Sequence, residues 1–384
     1  MPTFSRLAAT LACCAGLSVT AEESTAPAAT LLDSTSLEQA FGAVSWGAYG
    51  EAHYSNFQSN GKADMLDLHR LVLLSEAQLA ERWRFIAEIE FEHALIGEGK
   101  PGEVEVEQAL VEFTYAGAHA VQAGMMLVPI SIGNLYHEPT IFHGVERPLF
   151  DSRIVPTTWF DIGVAAHGPI IAGLDYTVAL QTGINGQNLS AGNGFRSGRQ
   201  KGAEAKAQDL MITGRLDYRP FPSTWLSVAV NAGGIDQRTQ DEGEVASDSV
   251  TGTLVVAEAR WADFGWETGV SLGQGQISDP QELGAALPET FRGVSVFAAY
   301  DVLRLTQLDT AHQLFVFARY EKLDNNASMA NGVPQNEALN TRSYQYGLTW
   351  KPNAHVVGKF DYQDIENDDG SGSDVWSLGV GFAF

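Results

Sequence analysis

Beyond position 14 the chain has no cysteine; its only two, Cys13 and Cys14, lie in an N-terminal stretch that reads as a leader. A disulfide-stapled secreted domain, a thiol catalyst and a zinc–thiolate site are thereby excluded. Basic residues are scarce, with 23 Lys and Arg against 47 Asp and Glu in 384 residues. A nucleic-acid partner would need the opposite balance. Long apolar runs are also missing: after residue 21 nothing approaches the roughly 18 consecutive apolar residues of a membrane helix. That leaves open a membrane β-barrel, in which only alternate residues of each strand face lipid.

Met1–Ala21 carries one positive charge (Arg6), a small-residue apolar run from Leu7 to Val19, and Val19-Thr20-Ala21 before Glu22-Glu23. This is the pattern of a cleaved secretory signal, and Thr10-Leu11-Ala12 fits poorly with lipoprotein processing at Cys13 or Cys14. Residues 22–43 mix Ser, Thr, Ala and Pro with a weak apolar pattern at Leu31, Leu32, Leu37 and Phe41. So short a piece cannot bury a core, and it reads as an N-terminal periplasmic segment.

From Val44 onward the dominant signal has period two. Trp376, Leu378, Val380, Phe382 and Phe384 share one face of the last strand, opposite Ser377, Gly379, Gly381 and Ala383. Trp83, Phe85, Ala87, Ile89 and Phe91 alternate with Arg84, Ile86, Glu88, Glu90 and Glu92, and Leu210, Ile212, Leu216 and Tyr218 with Asp209, Thr213, Arg215 and Asp217. An apolar outside around a charged inside inverts the pattern of a water-soluble protein and suits lipid outside and water within. The segments between strands alternate in length. Seven short turns, such as Ala116–Ala118 and Ala262–Gly265, alternate with eight long loops, such as Ala94–Gly102, Pro129–Thr157 and Ile184–Ala207. Fifteen connections make sixteen strands, so the expected fold is all-β, a 16-stranded antiparallel transmembrane β-barrel over residues 44–384. Tyr and Trp near strand ends, among them Trp46, Tyr54, Trp83, Trp159, Trp225, Trp266 and Trp350, fit two aromatic girdles at the headgroup level.

The third long loop, Pro129–Thr157, is unusually apolar, with Leu135, Tyr136, Ile141, Phe142, Val145, Leu149, Phe150, Ile154 and Val155. Such a loop packs against something: an inward fold that narrows the lumen is expected, with a packed lid over the barrel mouth as the alternative. Its polar residues His137, Glu138, His143, Glu146, Arg147, Asp151 and Arg153 are the candidate constriction groups. By alternation the candidate pore-lining groups are Arg84, Glu88, Glu90, Glu92, Glu112, Asp161, Arg215, Asp217, Arg319, Glu321, Lys359 and Asp361, joined by Asp175, Glu258, Arg260 and Asp301.

Leu68-His69-Arg70-Leu71-Val72-Leu73, Glu88-Ile89-Glu90-Phe91-Glu92-His93, Val104-Glu105-Val106-Glu107-Gln108-Ala109, His137-Glu138-Pro139, Gly144-Val145-Glu146-Arg147, Arg153-Ile154-Val155-Pro156-Thr157-Thr158-Trp159 and Phe317-Ala318-Arg319-Tyr320-Glu321 resemble the phosphate-selective porin O and P family. The resemblance spans most of the chain and is strongest from Leu68 to Gly163. It implies an outer-membrane porin, often a homotrimer, with an inward third loop. Separately, the last strand, ending on the aromatic Phe384, resembles the C-terminal strand by which outer-membrane barrels are recognised by the barrel-assembly machinery, and outer-membrane lipid and lipopolysaccharide are the expected surroundings. The family's lumenal ladder of arginines is not matched, because acids outnumber bases among the lumenal positions. Acid rings favour cations, so weak cation preference or little selectivity is expected.

Catalytic patterns are thin. His137 and His143 stand six apart in a Pro-flanked loop, not four apart on a helix as a metalloprotease needs. His69, His93, His119 and His167 have no serine motif or third partner and read as wall or rim residues. The acids of the last loop, Glu366, Asp368, Asp369 and Asp374, lack a full calcium-loop pattern. No enzyme activity, metal or cofactor is expected. The function expected is passive diffusion of small hydrophilic solutes or ions. A phosphate-type anion channel and a non-conducting adhesin or scaffold are the alternatives.

Overall fold

The computed structural model describes residues 44–58, 61–238, 250–283, 286–306, 311–330 and 332–384. The expected leader 1–21 and segment 22–43 lie outside the described residues. Sixteen strands follow in order: β1 (Val44–Phe57), β2 (Met65–Ala80), β3 (Trp83–Glu92), β4 (Val104–Ala116), β5 (His119–Leu127), β6 (Phe160–Ile171), β7 (Leu174–Thr182) and β8 (Leu210–Phe221), then β9 (Thr224–Gly234), β10 (Thr251–Asp263), β11 (Trp266–Ile277), β12 (Pro288–Asp301), β13 (Gln313–Met329), β14 (Asn340–Lys351), β15 (Val356–Asn367) and β16 (Gly372–Ala383). Each pairs antiparallel with its sequence neighbours, and β1 pairs with β16, so the sheet closes into a barrel without edges. Phe384 finishes the seam: its N–H donates to Ala48 O at 2.9 Å and its carbonyl accepts from Ala48 N at 3.0 Å.

The alternation read from sequence becomes the two faces of the wall. Leu66, Val164, Ile212, Leu272, Leu348, Leu378 and Val380 project outward and exposed, while Glu88, Arg215, Arg319, Glu321 and Asp361 point inward and are buried. An apolar belt outside a closed, fully hydrogen-bonded sheet is what a bilayer-spanning barrel requires. Trp46, Trp83, Trp266 and Trp350 lie outward near the short-turn end, and Tyr320, Tyr344, Tyr346 and Trp376 outward toward the other. Two of the expected girdle residues do not belong to the girdles. Trp159 is buried in the third long loop. Trp225 takes the inward parity of β9, its indole N–H donating to Asp217 at 2.6 Å.

Among several irregularities of register, two β-bulges shift the parity within their own strands, β2 and β4. One falls in β2, where Glu51 pairs with Arg70 but Ala52 with Leu68, leaving His69 as the extra residue. The other falls in β4, where Glu88 pairs with Gln108 but Ile89 with Val106, leaving Glu107 as the extra residue. A bulge re-aims side chains, so His69 joins Arg70 on the inner face, and Glu107 joins Gln108. The apolar outward residues change phase at the same places, from Leu66 and Leu68 to Leu71 and Leu73, and from Val104 and Val106 to Val111 and Phe113.

Candidate functional site: a loop drawn across the lumen

The connection from β5 to β6 (residues 128–159) is folded into the barrel. Its neck is clasped by Asn134, whose amide donates to the carbonyls of Val128 and Trp159, both at 2.8 Å, and accepts from Trp159 N at 2.7 Å. Two single-turn helices, α1 (Ile132–Leu135) and α2 (Phe150–Arg153), stiffen it. Ser131 caps α1 through Asn134 N at 2.9 Å, supplying one acceptor that a helix start lacks.

Inward wall residues fasten the loop backbone all round the barrel. Glu258 on β10 accepts from Ile132 N at 2.5 Å, and Asp361 on β15 from Val145 N at 2.5 Å. Glu321 on β13 takes the N–H groups of Leu149 and Phe150 at 3.0 and 2.9 Å, at the start of α2 where a carboxylate is favoured. Arg319 donates to His143 O at 2.6 Å and Arg70 to His137 O at 2.7 Å. Charge-assisted bonds of this kind contribute roughly 1.5–3 kcal/mol each. Several expected pore-lining groups are thus seats for the loop.

The loop meets the two sides of the lumen differently. Toward β8–β13, Val128, Ile130, Phe150, Ile154, Val155 and Trp159 form a dry cluster with Met211, Leu254, Val256, Phe291 and Leu323 of the wall and Ile184, Leu189 and Phe195 of the next long loop. Gly273 and Gly293 make room for it: a methyl group there would sit 2.8 Å from Ile154 Cγ2 and 2.7 Å from Ile154 Cγ1. Further round, His143 is wedged among Phe297, Phe315 and Phe317, with Nε2 2.9 Å from Glu267 and Nδ1 3.1 Å from Thr349 Oγ1. Burial lowers its affinity for a proton, against the Glu267 contact.

Toward β1–β4 the surroundings are ionic. Glu88 accepts from Tyr49 Oη at 3.0 Å and from Gln108 at 2.5 Å, and His137 Nε2 lies 2.8 Å from the same Tyr49 oxygen. Arg70, wholly buried, bonds Glu51 at 2.7 Å and lies 3.8 Å from Glu90. Both carboxylate oxygens of Glu107 are buried without a hydrogen-bond partner. Opposite these acids stand three arginines of the loops. Arg147 donates to Thr158 Oγ1 at 3.1 Å, and Arg196 and Arg199 of the fourth long loop (residues 183–209) donate to the carbonyls of Thr157 and Thr158. Burial and then the Arg147 charge lower the Arg196 pKa. Burial and then the Arg196 charge bring Arg199 to about 10. Lys201, next along the loop, is paired with Glu105 of β4.

The remaining expected residues are placed as follows. Arg84 bonds Glu112 at 2.6 Å and Glu76 at 3.1 Å, and Arg215 clasps Asp217 with two bonds of 2.7 Å, both toward the short-turn end. Asp161 accepts from Thr182 Oγ1 and from Ile162 N at 3.0 Å. Lys359 lies over the Phe142 ring at 3.5 Å, and Arg153 donates to Thr341 Oγ1 at 3.0 Å. Asp175 receives Arg219, Arg260 bonds Glu258, and Asp301 caps Leu303 N. Glu92 is half-buried on the inner face of β3, Glu146 is exposed at the loop's turn, and Glu138 holds one buried oxygen without a partner. Asp151 is buried; burial, then the Glu258 charge, raises its pKa to about 7.

Alternation alone missed Glu51, His53, Arg70, Glu105, Glu107, Arg196 and Arg199. For Glu105 and Glu107 a signal existed, since the bulge restores inward parity to charges that strict alternation from Glu112 would turn into lipid.

No family model matches the chain. Over 357 residues it is 28% identical to an uncharacterized protein of Aquifex aeolicus, covering 89% of this chain and 80% of that one. Among solved structures it is similar to the outer membrane channel DcaP of Acinetobacter baumannii, with 12% identity, a TM-score of 0.56, and 89% and 97% of the two chains covered. It is similar to the anion-selective porin of Comamonas acidovorans, with 14% identity, a TM-score of 0.56, and 89% and 99% covered. OmpF of Salmonella typhi gives 12% identity, a TM-score of 0.58, and 89% and 97% covered. What these chains share with this one is the fold, a closed sixteen-stranded antiparallel barrel of the porin type.

Proposed function

We propose that the protein is an outer-membrane porin, a passive channel for small hydrophilic solutes and ions with a weak preference for cations. The observation that carries this reading is the third long loop, fastened across the lumen so that one side is filled with apolar side chains and the other keeps acids facing arginines. A constriction with fixed charges of both signs sorts solutes by size and charge without any reaction. The excess of acids over bases on the inner wall supports the cation preference. Export by the Met1–Ala21 leader, long loops on the cell exterior, assembly through the Phe384 strand, contact with lipopolysaccharide and a homotrimeric state belong to the same proposal. A trimer form is named for OmpT of Vibrio cholerae, which has a similar fold.

The resemblance to the phosphate-selective porin O and P family, together with Arg147, Arg196 and Arg199, favours a second reading: a channel specific for a small anion of the phosphate type. Single-channel recording of the refolded barrel, followed by its reversal potential in a salt gradient, separates the two. The first reading predicts conducting steps with more current carried by cations; steps dominated by anions and blocked by phosphate would establish the second. Absence of steps would overturn both and leave a filled barrel acting as adhesin or scaffold.

A further inference from the structure

The long-loop end of the ionic wall gathers three imidazoles outside the apolar cluster, of which His53 bridges Glu51 of the wall to Glu146 of the third long loop. His53 points inward from β1, His69 is the extra residue of the β2 bulge, and His93 follows the last residue of β3. The His53 and His69 rings stack with centroids 4.7 Å apart, and His69 and His93 meet edge to face at 5.8 Å. Two irregularities of the backbone bring them together. The bulge turns His69 inward beside Arg70. His93 adopts a left-handed conformation, φ 53°, unusual for a side-chain-bearing residue, with its N–H donating to His69 O at 3.2 Å.

Carboxylates close the group. Asp67 Oδ2 lies 2.7 Å from His93 Nδ1 and 3.7 Å from His69 Nδ1, and Glu146 Oε1 of the third long loop lies 2.9 Å from His53 Nδ1. Within Asp67–His69–His93 one donor atom from each residue lies within 4.8 Å of the other two, and the same holds for His53–His69–Glu146. A tetrahedral ion with bonds of about 2.0–2.1 Å holds its ligands roughly 3.3 Å apart. The donor atoms, at most 4.8 Å apart, have to close by up to about 1.5 Å to reach that spacing. The side chains of Asp67, His69 and His93 are 31%, 24% and 35% exposed, which leaves them room to turn and gives a water-borne ion access.

We propose that His69, His93 and Asp67, with His53 and Glu146 alongside, bind a divalent cation of the zinc, nickel or copper(II) type at the mouth of the lumen. Imidazole with carboxylate suits these ions, whereas calcium and magnesium take all-oxygen sites. Three protein ligands leave a position for water, so the ion stays exchangeable, as a site along a permeation path must be. The role in permeation rests on the channel reading; the binding itself does not.

The test is isothermal titration of the refolded barrel with zinc chloride, paired with single-channel recording in the presence of zinc. Wild type is expected to bind zinc with a signal that equal calcium does not compete away. His69→Ala and His93→Ala are each expected to weaken binding by roughly tenfold or more, and His119→Ala, at the opposite end of the barrel, to leave it unchanged. His93→Gln, which keeps a polar side chain of similar length, serves if His69→Ala does not refold. Copper(II) loaded in place of zinc should show imidazole nitrogen couplings by electron paramagnetic resonance, and lose part of them in His93→Gln. Zinc binding equal in wild type and both alanine variants, or weakened as much by His119→Ala, would overturn the site. Zinc binding by a barrel that conducts nothing would keep the site and overturn the channel. Conduction with no zinc binding would do the reverse.

Discussion

On the β8–β13 side of the lumen, the third long loop is held by Phe150, Ile154 and Val155 packed into a wall that offers glycine at Gly273 and Gly293. On the β1–β4 side the same loop presents His137, Glu146 and Arg147 to a wall of Glu51, Glu88, Glu90 and Glu107. The first side excludes water, and its stabilisation scales with apolar area removed from solvent. The second keeps charges in reach of one another, buried at Glu51, Glu88, Glu90 and Glu107 and open to water at Glu92 and Glu146. One loop is therefore a fixture on one side and a boundary of the path on the other. Mutations should divide the same way, into those that release the loop and those that retune the path.

The largest effect is expected from Phe150→Ala. Emptying that buried site costs on the order of 3–5 kcal/mol of local packing. The loop should come free, with noisier, larger single-channel currents and new proteolysis at Arg153. A variant that keeps both the wild-type conductance and the wild-type protease resistance would show that the apolar side does not hold the loop.

Next comes Glu321→Gln, which leaves one of the Leu149 and Phe150 N–H groups without an acceptor. A cost of about 1–3 kcal/mol follows, to be read as faster current flicker at unchanged heat resistance of the barrel.

On the ionic side, Glu92→Gln combined with Glu105→Gln should leave the loop seated and lower the cation-to-anion permeability ratio. Exposed ionic interactions contribute about 1 kcal/mol or less, so the expected change is within roughly fivefold. An increase in cation preference would contradict the assignment of that wall to the path.

Strand number, closure and the lipid and lumen faces were legible because they rest on local periodicity and loop length, whereas the apolar content of the third long loop left an inward fold and a lid over the mouth both open. The bulges at His69 and Glu107 were legible only in retrospect: the outward apolar residues change phase there, but a bulge must be admitted before the phase change can be read. Trp159 and Trp225 were misread because an aromatic near a strand end looks the same whether it faces lipid or lumen. Arg196 and Arg199 lie in a loop without periodicity, and their partners, the carbonyls of Thr157 and Thr158, are set only when two loops meet. Wall acids such as Glu321 and Asp361 were legible as inward, but sequence has no means of telling a carboxylate that meets water from one that holds a backbone N–H.

A separate expected effect is a pH dependence of the loop's seating through Asp151. Its folded pKa, about 7, lies above the usual carboxylate value because ionisation is penalised by burial. A raised pKa stabilises fully below the unfolded value and is lost as pH rises through the folded one. Current flicker should therefore grow from about pH 4 to pH 7, and Asp151→Asn should flatten that rise.

The division of the lumen is tested most directly by cysteine accessibility, for which a chain without cysteine after residue 14 is well suited. Glu92→Cys and Leu323→Cys are introduced separately and exposed to a charged methanethiosulfonate while current is recorded. Half-buried Glu92 marks the ionic side and fully buried Leu323 the apolar side. The account predicts a rapid stepwise change of current for Glu92→Cys and none for Leu323→Cys. Equal modification of both positions, or modification of Leu323→Cys alone, would contradict it.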